Sequence, residues 1–307
     1  MAHNLGFSIA TPPGPHGLDE ALALVFSRFD PEQAAEYEAI YRAALQEGTL
    51  RPEWVLEARH AGRLLGAAIY QLQPGRTALV WPPRLARKAP RRVAVSLMAT
   101  MVECLKRNDI RLATSLLNRV DPEERQLLGI SQFKHIAELI YLVGFRQDFP
   151  ASPPQTELDF EAYSPQNHSR LASVVQATYE ASLDCPALDK ARDIEDVLTG
   201  YRGAGRFVPD HWAIVRHQQK DVGCVLLADH PQEDSCELVY MGITAPMRGR
   251  GWGRQVVRWA QWRTREAGRS RLVLAVDAAN YPAVALYTSL GFSAWDRRQC
   301  YARLLGA

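Results

Sequence analysis

The residues from Glu237 to Gly253, E-L-V-Y-M-G-I-T-A-P-M-R-G-R-G-W-G, have types and spacing suited to one task, holding phosphate. An apolar strand-like run feeds a loop with Gly249, Gly251 and Gly253, and a helical pattern begins there. Glycines let successive backbone N–H groups turn into one concavity, and a helix N-terminus adds partial positive charge to it. Arg248, Arg250 and Arg254 supply full charges, so the expected ligand carries several phosphates.

Three phosphate motifs compete for this segment. A P-loop needs G-x-x-x-x-G-K-[ST], and no such Gly-Lys-Ser/Thr run occurs. A dinucleotide fold has the same strand, glycines and helix, and would use Asp277 at the end of the next strand for a ribose. Its spacing fails, because the glycines run G-x-G-x-G with Arg254 in the sixth place and too little chain follows for further strands. The third motif fits. Arg248-x-x-Gly251-x-Gly253 resembles the pyrophosphate loop, Q/R-x-x-G-x-G/A, of the GNAT superfamily of N-acetyltransferases. A second block, Asn280-Tyr-Pro-Ala283-x-x-Leu286-Tyr287-x-x-x-Gly291-Phe292, is similar to the family's N-x-x-A-x-x-L-Y-x-x-x-G-F. The resemblance covers residues 156–307 by motif and the first half only by the order of its elements.

What the resemblance implies is specific. The loop Arg248, Gly249, Arg250, Gly251, Trp252, Gly253 and Arg254 would hold the pyrophosphate of acetyl-CoA through backbone N–H groups. The preceding strand would splay from its neighbour, freeing backbone groups at Met241, Gly242 and Ile243 for the pantetheine arm and the thioester oxygen. Tyr287 would be the general acid for the departing thiolate; a core tyrosine packed beside Leu286 is the plainer account of the same residue. Asn280 would bond the cofactor's amide arm, or simply cap the helix that Pro282 begins.

A protonated amine cannot attack a thioester, so the acceptor needs a base or a water relay. Glu237, at the start of the cofactor strand, is the first candidate, against the plainer reading of a strand-end surface acid; Asp277 is the second. Asp184, Asp189, Asp193, Glu195 and Asp196 crowd the segment that should meet the acceptor and would suit a cationic amine, as would any solvated acidic face. Cys185, before Pro186, reads as packed, since transfer in a ternary complex requires no covalent intermediate. No metal is expected. The arginines from 254 to 271 read mostly as solvated helix residues, one of them within reach of the cofactor's 3′-phosphate.

The elements that would position these groups come twice. A strand at 7–10 or 157–160 precedes helical segments, two strands about a turn, a third strand, a long helix, a β-rich strand and a short helix. Val80-Trp81 and Val239-Tyr240 are offset by 159 positions, and so are Phe133 and Phe292. Between the halves lies Asp148 to Gln155, D-F-P-A-S-P-P-Q, a linker by composition. The expectation is an α/β (α+β mixed-sheet) protein of two tandem GNAT-like domains: residues 1–150, degenerate and non-catalytic, and 151–307, catalytic. Mycothiol synthases are similar in architecture. At the 159 offset Leu128 stands for Tyr287, Gln132 for Gly291 and Asp121 for Asn280. The loop Pro82 to Arg92 has five cations but no glycine, which leaves open whether this half binds CoA.

Composition limits the remaining classes. Of 307 residues, 47% are apolar and 23% charged, with Lys+Arg 36 against Asp+Glu 34. Near-neutral charge and basic clusters without interleaved aromatics argue against a nucleic-acid binder. Five scattered cysteines, no signal-like start and no apolar run near the ~20 residues of a membrane span point to a soluble cytoplasmic protein. The expected reaction is acetyl transfer from acetyl-CoA to a small-molecule or peptide amine. The alternative is a non-catalytic acyl-CoA-binding regulator. Nothing in the sequence encodes the oligomeric state.

Overall fold

The computed structural model describes residues 6–188 and 192–306. The chain forms two compact units, Met1–His135 with Cys300–Ala307, and Ile136–Gln299. In the first, β1 (Ser8–Ala10) leads to helices α1 (Gly14–Phe26) and α2 (Pro31–Gln46), then β2 (Val55–His60), β3 (Arg63–Gln73) and β4 (Thr77–Leu85). Helix α3 (Arg92–Arg107), β5 (Leu112–Leu117) and helix α4 (Pro122–Ile130) follow. The strand order is β1-β2-β3-β4-β5, antiparallel except for the parallel pair β4/β5.

The second unit repeats this plan. Strand β6 (Lys134–Phe145) precedes β7 (Asp159–Ala162), α5 (His168–Thr178), α6 (Ile194–Arg202), β8 (Trp212–His217), β9 (Lys220–His230) and β10 (Ser235–Ile243). Then come α7 (Trp252–Glu266), β11 (Arg271–Asp277), α8 (Tyr281–Ser289) and β12 (Ser293–Leu304). Its order is β6-β11-β10-β9-β8-β7, with β10/β11 the parallel pair. Helices α4 and α8 are offset by 159 positions at both ends, and so are β6 and β12.

Both faces of the central strands are covered, so they are apolar on both. On β8 and β9, Ala213, Val215, Val225 and Leu227 pack in the cluster under α7, while Trp212, Ile214, Cys224 and Leu226 pack under α5 and α6. The alternation is the two-residue period of a strand divided between two helical layers.

The division departs from a boundary at 150/151. Strand β6 pairs with β11 from Leu139↔Asp277 to Phe145↔Arg271, and its Ile140 and Leu142 join the second unit's core. The end of β12 counts with the first unit, where Tyr301 and Leu305 join the core. Neither strand is legible in the sequence, where each half closes on its short helix. In β12 the run Asp296-Arg297-Arg298-Gln299 breaks the apolar alternation that marks a strand.

Candidate active site

A bulge and an early parting of strands open the second unit. Strands β10 and β11 pair only from Ser235↔Arg271 to Glu237↔Val273. Against β9, Leu238 faces Leu227 and Tyr240 faces Leu226, which leaves Val239 as the extra residue of a β-bulge. Beyond this point the two parallel strands diverge. The resulting cleft of about 610 Å³ is lined by β10 from Leu238 to Ile243, the loop Met247 to Arg254, Ser182 to Asp184, and Asn280 and Tyr287.

The expected cofactor residues gather here, in different ways. Gly249 and Gly251 have φ of +78° and +76°, and a Cβ built on either meets nothing within 4 Å. They are glycine because of the left-handed backbone, and the space beside them is open for a ligand. Gly251 is the N-cap of α7, whose first amides have no intrahelical acceptor. Gly253 is small for another reason, since a Cβ there would lie 3.2 Å from Leu286. At Gly242 a Cβ would fall 2.6 Å from Thr178, so glycine lets α5 close on β10.

Among the arginines, roles divide. The Arg248 guanidinium donates to the carbonyls of Ile243 at 3.0 Å, Ala181 at 2.8 Å and Thr178 at 2.8 Å. It joins the end of β10 to the loop after α5 and is committed to protein rather than to phosphate. Arg254 donates to Ser289 Oγ at 2.7 Å. Arg250 lies over the Trp252 ring at 5.4 Å, the most available cation beside the glycines. Trp252 itself is buried and its Nε1 donates to Glu157, so only its backbone serves the loop.

Tyr287 is 7% exposed, packs edge-on against Phe292 and lines the cleft. Its hydroxyl has no protein hydrogen-bond partner among the described residues. Burial, reinforced by the charge of Asp184, holds its phenol well above the usual range and so protonated. Asn280 accepts from Ala283 N–H at 3.4 Å as the cap of α8, and it also lines the cleft.

Glu237 lies at the paired end of β10, bonded to His230 Nε2 at 3.2 Å, and is not among the lining residues. That bond raises the His230 pKa. Asp277 is 4% exposed and spent on structure, accepting from Ala279 N–H at 2.9 Å and Cys185 N–H at 3.3 Å. Of the acidic segment, Asp184 reaches the cleft, Asp193 caps α6, Glu195 pairs with His168, and Asp189 lies outside the described residues. Thr178, Ser182 and Leu183 also line the cleft, and no motif in the sequence signals them. Tyr240 stacks on Tyr201 at 5.4 Å above the buried Cys224, whose thiol burial pushes up to about 12. Among the described residues no three His, Cys, Asp or Glu side chains come together to hold a metal ion, and no helix is long and apolar enough to cross a membrane.

In the first unit the corresponding place is bridged. Strands β4 and β5 also pair at only three positions, from Thr77↔Leu112 to Leu79↔Thr114. Pro82 and Pro83 stand between Trp81, opposite Ile69, and Arg84, opposite Ala67; at the 159 offset they correspond to Met241 and Gly242, between Tyr240 and Ile243. Prolines have no N–H to donate. Arg28 donates to the Pro82 carbonyl at 2.6 Å and to Glu124 of α4 at 2.8 Å. In the second unit Met241 and Ala283, the residue 159 positions beyond Glu124, flank the open cleft.

Residues 175–292 match the family described as Acetyltransferase (GNAT). The mycothiol acetyltransferase of Jonesia denitrificans is 35% identical over 103 residues, 33% of this chain and 33% of that protein. The chain thus spans about a third of that relative's length. Among solved structures, a GCN5-related N-acetyltransferase from Sphaerobacter thermophilus superposes with a TM-score of 0.61 at 15% identity, covering 99% of this chain and 98% of the other. A tandem GNAT protein from the clavulanic acid biosynthesis pathway gives 0.50 at 15% identity, covering 98% and 99%. These structures show a shared tandem fold.

Proposed function

We propose, for a chain whose residues 175–292 form a GNAT-family acetyltransferase domain, that the second unit transfers acetyl from acetyl-CoA to the amine of a small molecule or peptide. The observation that carries this is the cleft itself. Left-handed glycines and a helix N-terminus stand at one end, unpaired strand backbone lies along its wall, and a buried phenol with no hydrogen-bond partner among the described residues faces it.

Pyrophosphate would lie on the amides around Gly249 to Gly253 with Arg250 beside it, and pantetheine along Met241 to Ile243. A backbone N–H there gains most when the thioester oxygen becomes an oxyanion. Tyr287 stays neutral and donates to the sulfur as negative charge develops. Its raised pKa favours strong hydrogen bonding over complete proton transfer. Glu237, paired with His230, would accept the amine proton through water, since its carboxylate is outside the cleft wall. The first unit, with Arg28 and Glu124 across its strand opening, serves as a non-catalytic scaffold. A cationic amine related to the mycothiol pathway is one acceptor worth testing, given the relative's name.

Calorimetry with acetyl-CoA and thiol release over a panel of amines test the reading. The expected result is saturable binding and acceptor-dependent thiol release. Binding with no release for any acceptor would favour an acyl-CoA-responsive regulator, and no binding would remove the proposal.

A further inference from the structure

Among the described residues that line the cleft, Asp184 is the only carboxylate. Its position is built rather than incidental. The loop that carries it contains two non-glycine residues in the left-handed region, Ala181 at φ +50° and Cys185 at φ +46°. Such backbone persists only when surrounding contacts over-determine it. Here Arg248 holds the Thr178 and Ala181 carbonyls, and Asp184 N–H donates to Ser182 Oγ at 3.1 Å. A reciprocal pair then ties the loop to the end of β11: Asp277 N–H donates to Asp184 Oδ1 at 3.0 Å, and Cys185 N–H to Asp277 Oδ2 at 3.3 Å. The clip uses Oδ1. No protein donor among the described residues meets Oδ2.

We infer that Asp184 receives the ammonium of the acceptor and takes its proton, which makes the acceptor a cationic primary amine without an adjacent carboxylate. The inference rests on the acetyltransferase reading and assigns to Asp184 the base role for which Glu237 is the more distant candidate. The acceptor ammonium gives up two protons. One passes to Asp184 and on to solvent before attack, and the second passes to Asp184 as the N–C bond forms. The C–S bond then breaks, the departing thiolate is held by the neutral Tyr287 hydroxyl and takes its proton from solvent, and Asp184 releases the second proton to solvent. The net products are an acetamide, a free thiol and one proton. At neutral pH only about one lysine-like amine in a thousand or fewer is unprotonated, so a carboxylate at the attack position has a large effect to supply.

The groups facing Asp184 are consistent with this role. Asp277 comes from β11, Tyr287 from α8 and Tyr240 from β10, and Cys185 follows it on its own loop. Burial raises the Asp184 pKa, the neighbouring Asp277 charge adds to this, and the Asp277 N–H opposes it. A carboxylate raised in this way is a better proton acceptor at neutral pH, and it destabilises the fold there. Its folded pKa lies above the unfolded value, so its contribution to stability is complete below about pH 4 and is lost as pH rises.

Asp184→Asn keeps the Oδ1 acceptor and so keeps the loop clipped. Thiol release is followed with tyramine, glucosamine and spermidine, and with tyrosine as the carboxylate-bearing counterpart of tyramine. The expected result is unchanged acetyl-CoA affinity and unchanged or higher thermal stability. Turnover should fall at least a hundredfold, the acidic limb of kcat/KM should vanish, and the wild-type preference for tyramine over tyrosine should shrink. Retained turnover within threefold, or an acidic limb lost in Glu237→Gln but kept in Asp184→Asn, would leave Asp184 as a structural clip and overturn the inference. So would a wild type that binds acetyl-CoA but turns over none of the cationic probes. A wild type that fails to bind acetyl-CoA is the separate failure of the acetyltransferase reading.

Discussion

Removing one oxygen atom separates a catalytic from a packing role at Tyr287. The side chain is 7% exposed, and its ring lies 5.6 Å from that of Phe292. Tyr287→Phe keeps this packing. Because the hydroxyl bonds to no protein group among the described residues, the substitution loses no intramolecular hydrogen bond there, and unfolding free energy should change by less than about 0.5 kcal/mol. A buried tyrosine whose hydroxyl is bonded would lose about 1–3 kcal/mol. Turnover should behave in the opposite way. An acid or strong hydrogen-bond donor at the sulfur contributes about a hundredfold or more, roughly 2.7 kcal/mol of transition-state stabilisation. Urea unfolding, acetyl-CoA calorimetry and thiol release read the three quantities on one preparation, with kcat down and the cofactor's KM nearly constant. The alkaline limit supplies a further sign. Burial raises the phenol pKa, so stability from this group is present below about pH 10 and lost as pH rises beyond it; the Phe variant should gain relative stability there. A fall in kcat of less than threefold, or a parallel loss of stability and activity, would refute the reasoning and make Tyr287 a packing residue.

The other predictions concern the loop, the bridged unit and the boundary. Gly251→Val places a β-branched residue at φ +76°, a strain of about 1–2 kcal/mol, and should lower acetyl-CoA affinity at least tenfold; unchanged calorimetric affinity in the folded variant would remove the pyrophosphate assignment. Arg28→Met strands Glu124, whose side chain is 12% exposed, and should cost about 3–5 kcal/mol by urea unfolding, with Arg28→Met/Glu124→Leu recovering most of it. A loss below about 1 kcal/mol in the single variant would mean that the pair is not structurally important. A chain starting at residue 151 lacks β6 and should be insoluble or unfolded, whereas one starting at residue 134 retains the strand beside β11. Cooperative unfolding of the shorter chain would contradict the pairing as the source of that unit's stability.

Much of the site was legible because its parts are short and local. Gly249 and Gly251 announce a left-handed turn, and the cap and helix follow within a few residues. The N-cap at Asn280 is read from Pro282 and the helical run in the same way. Arg248 shows where local reading stops. Its place in the motif suggests phosphate, but its guanidinium bonds to carbonyls at 178 and 181, far away in sequence and close only in the fold. Asp184, read in the sequence only as one of several acids near the acceptor, lines the cleft and Glu237 does not, for the same reason. Which acid faces the cleft depends on where β10 leaves β11 and on a loop clipped to Asp277, and neither is periodic or motif-coded.

The sequence by itself determined the element order up to the short helix of each half, the duplication at a 159-residue offset, the phosphate-type loop and the loss of that loop from the first half, because each follows from dihedral preference, hydrophobic period or the missing N–H of proline. Only the tertiary structure decided where the units part, with β6 lying beside β11 and the end of β12 counted in the first unit. It alone decided that Arg28 and Glu124 span one strand opening while the other stays open, and that Asp184 is the carboxylate in it among the described residues. The physical reason is common to all three. Strand partnership, charge pairing and cleft lining are set by contacts between residues far apart in the chain, whose energies depend on burial and geometry that no local pattern records.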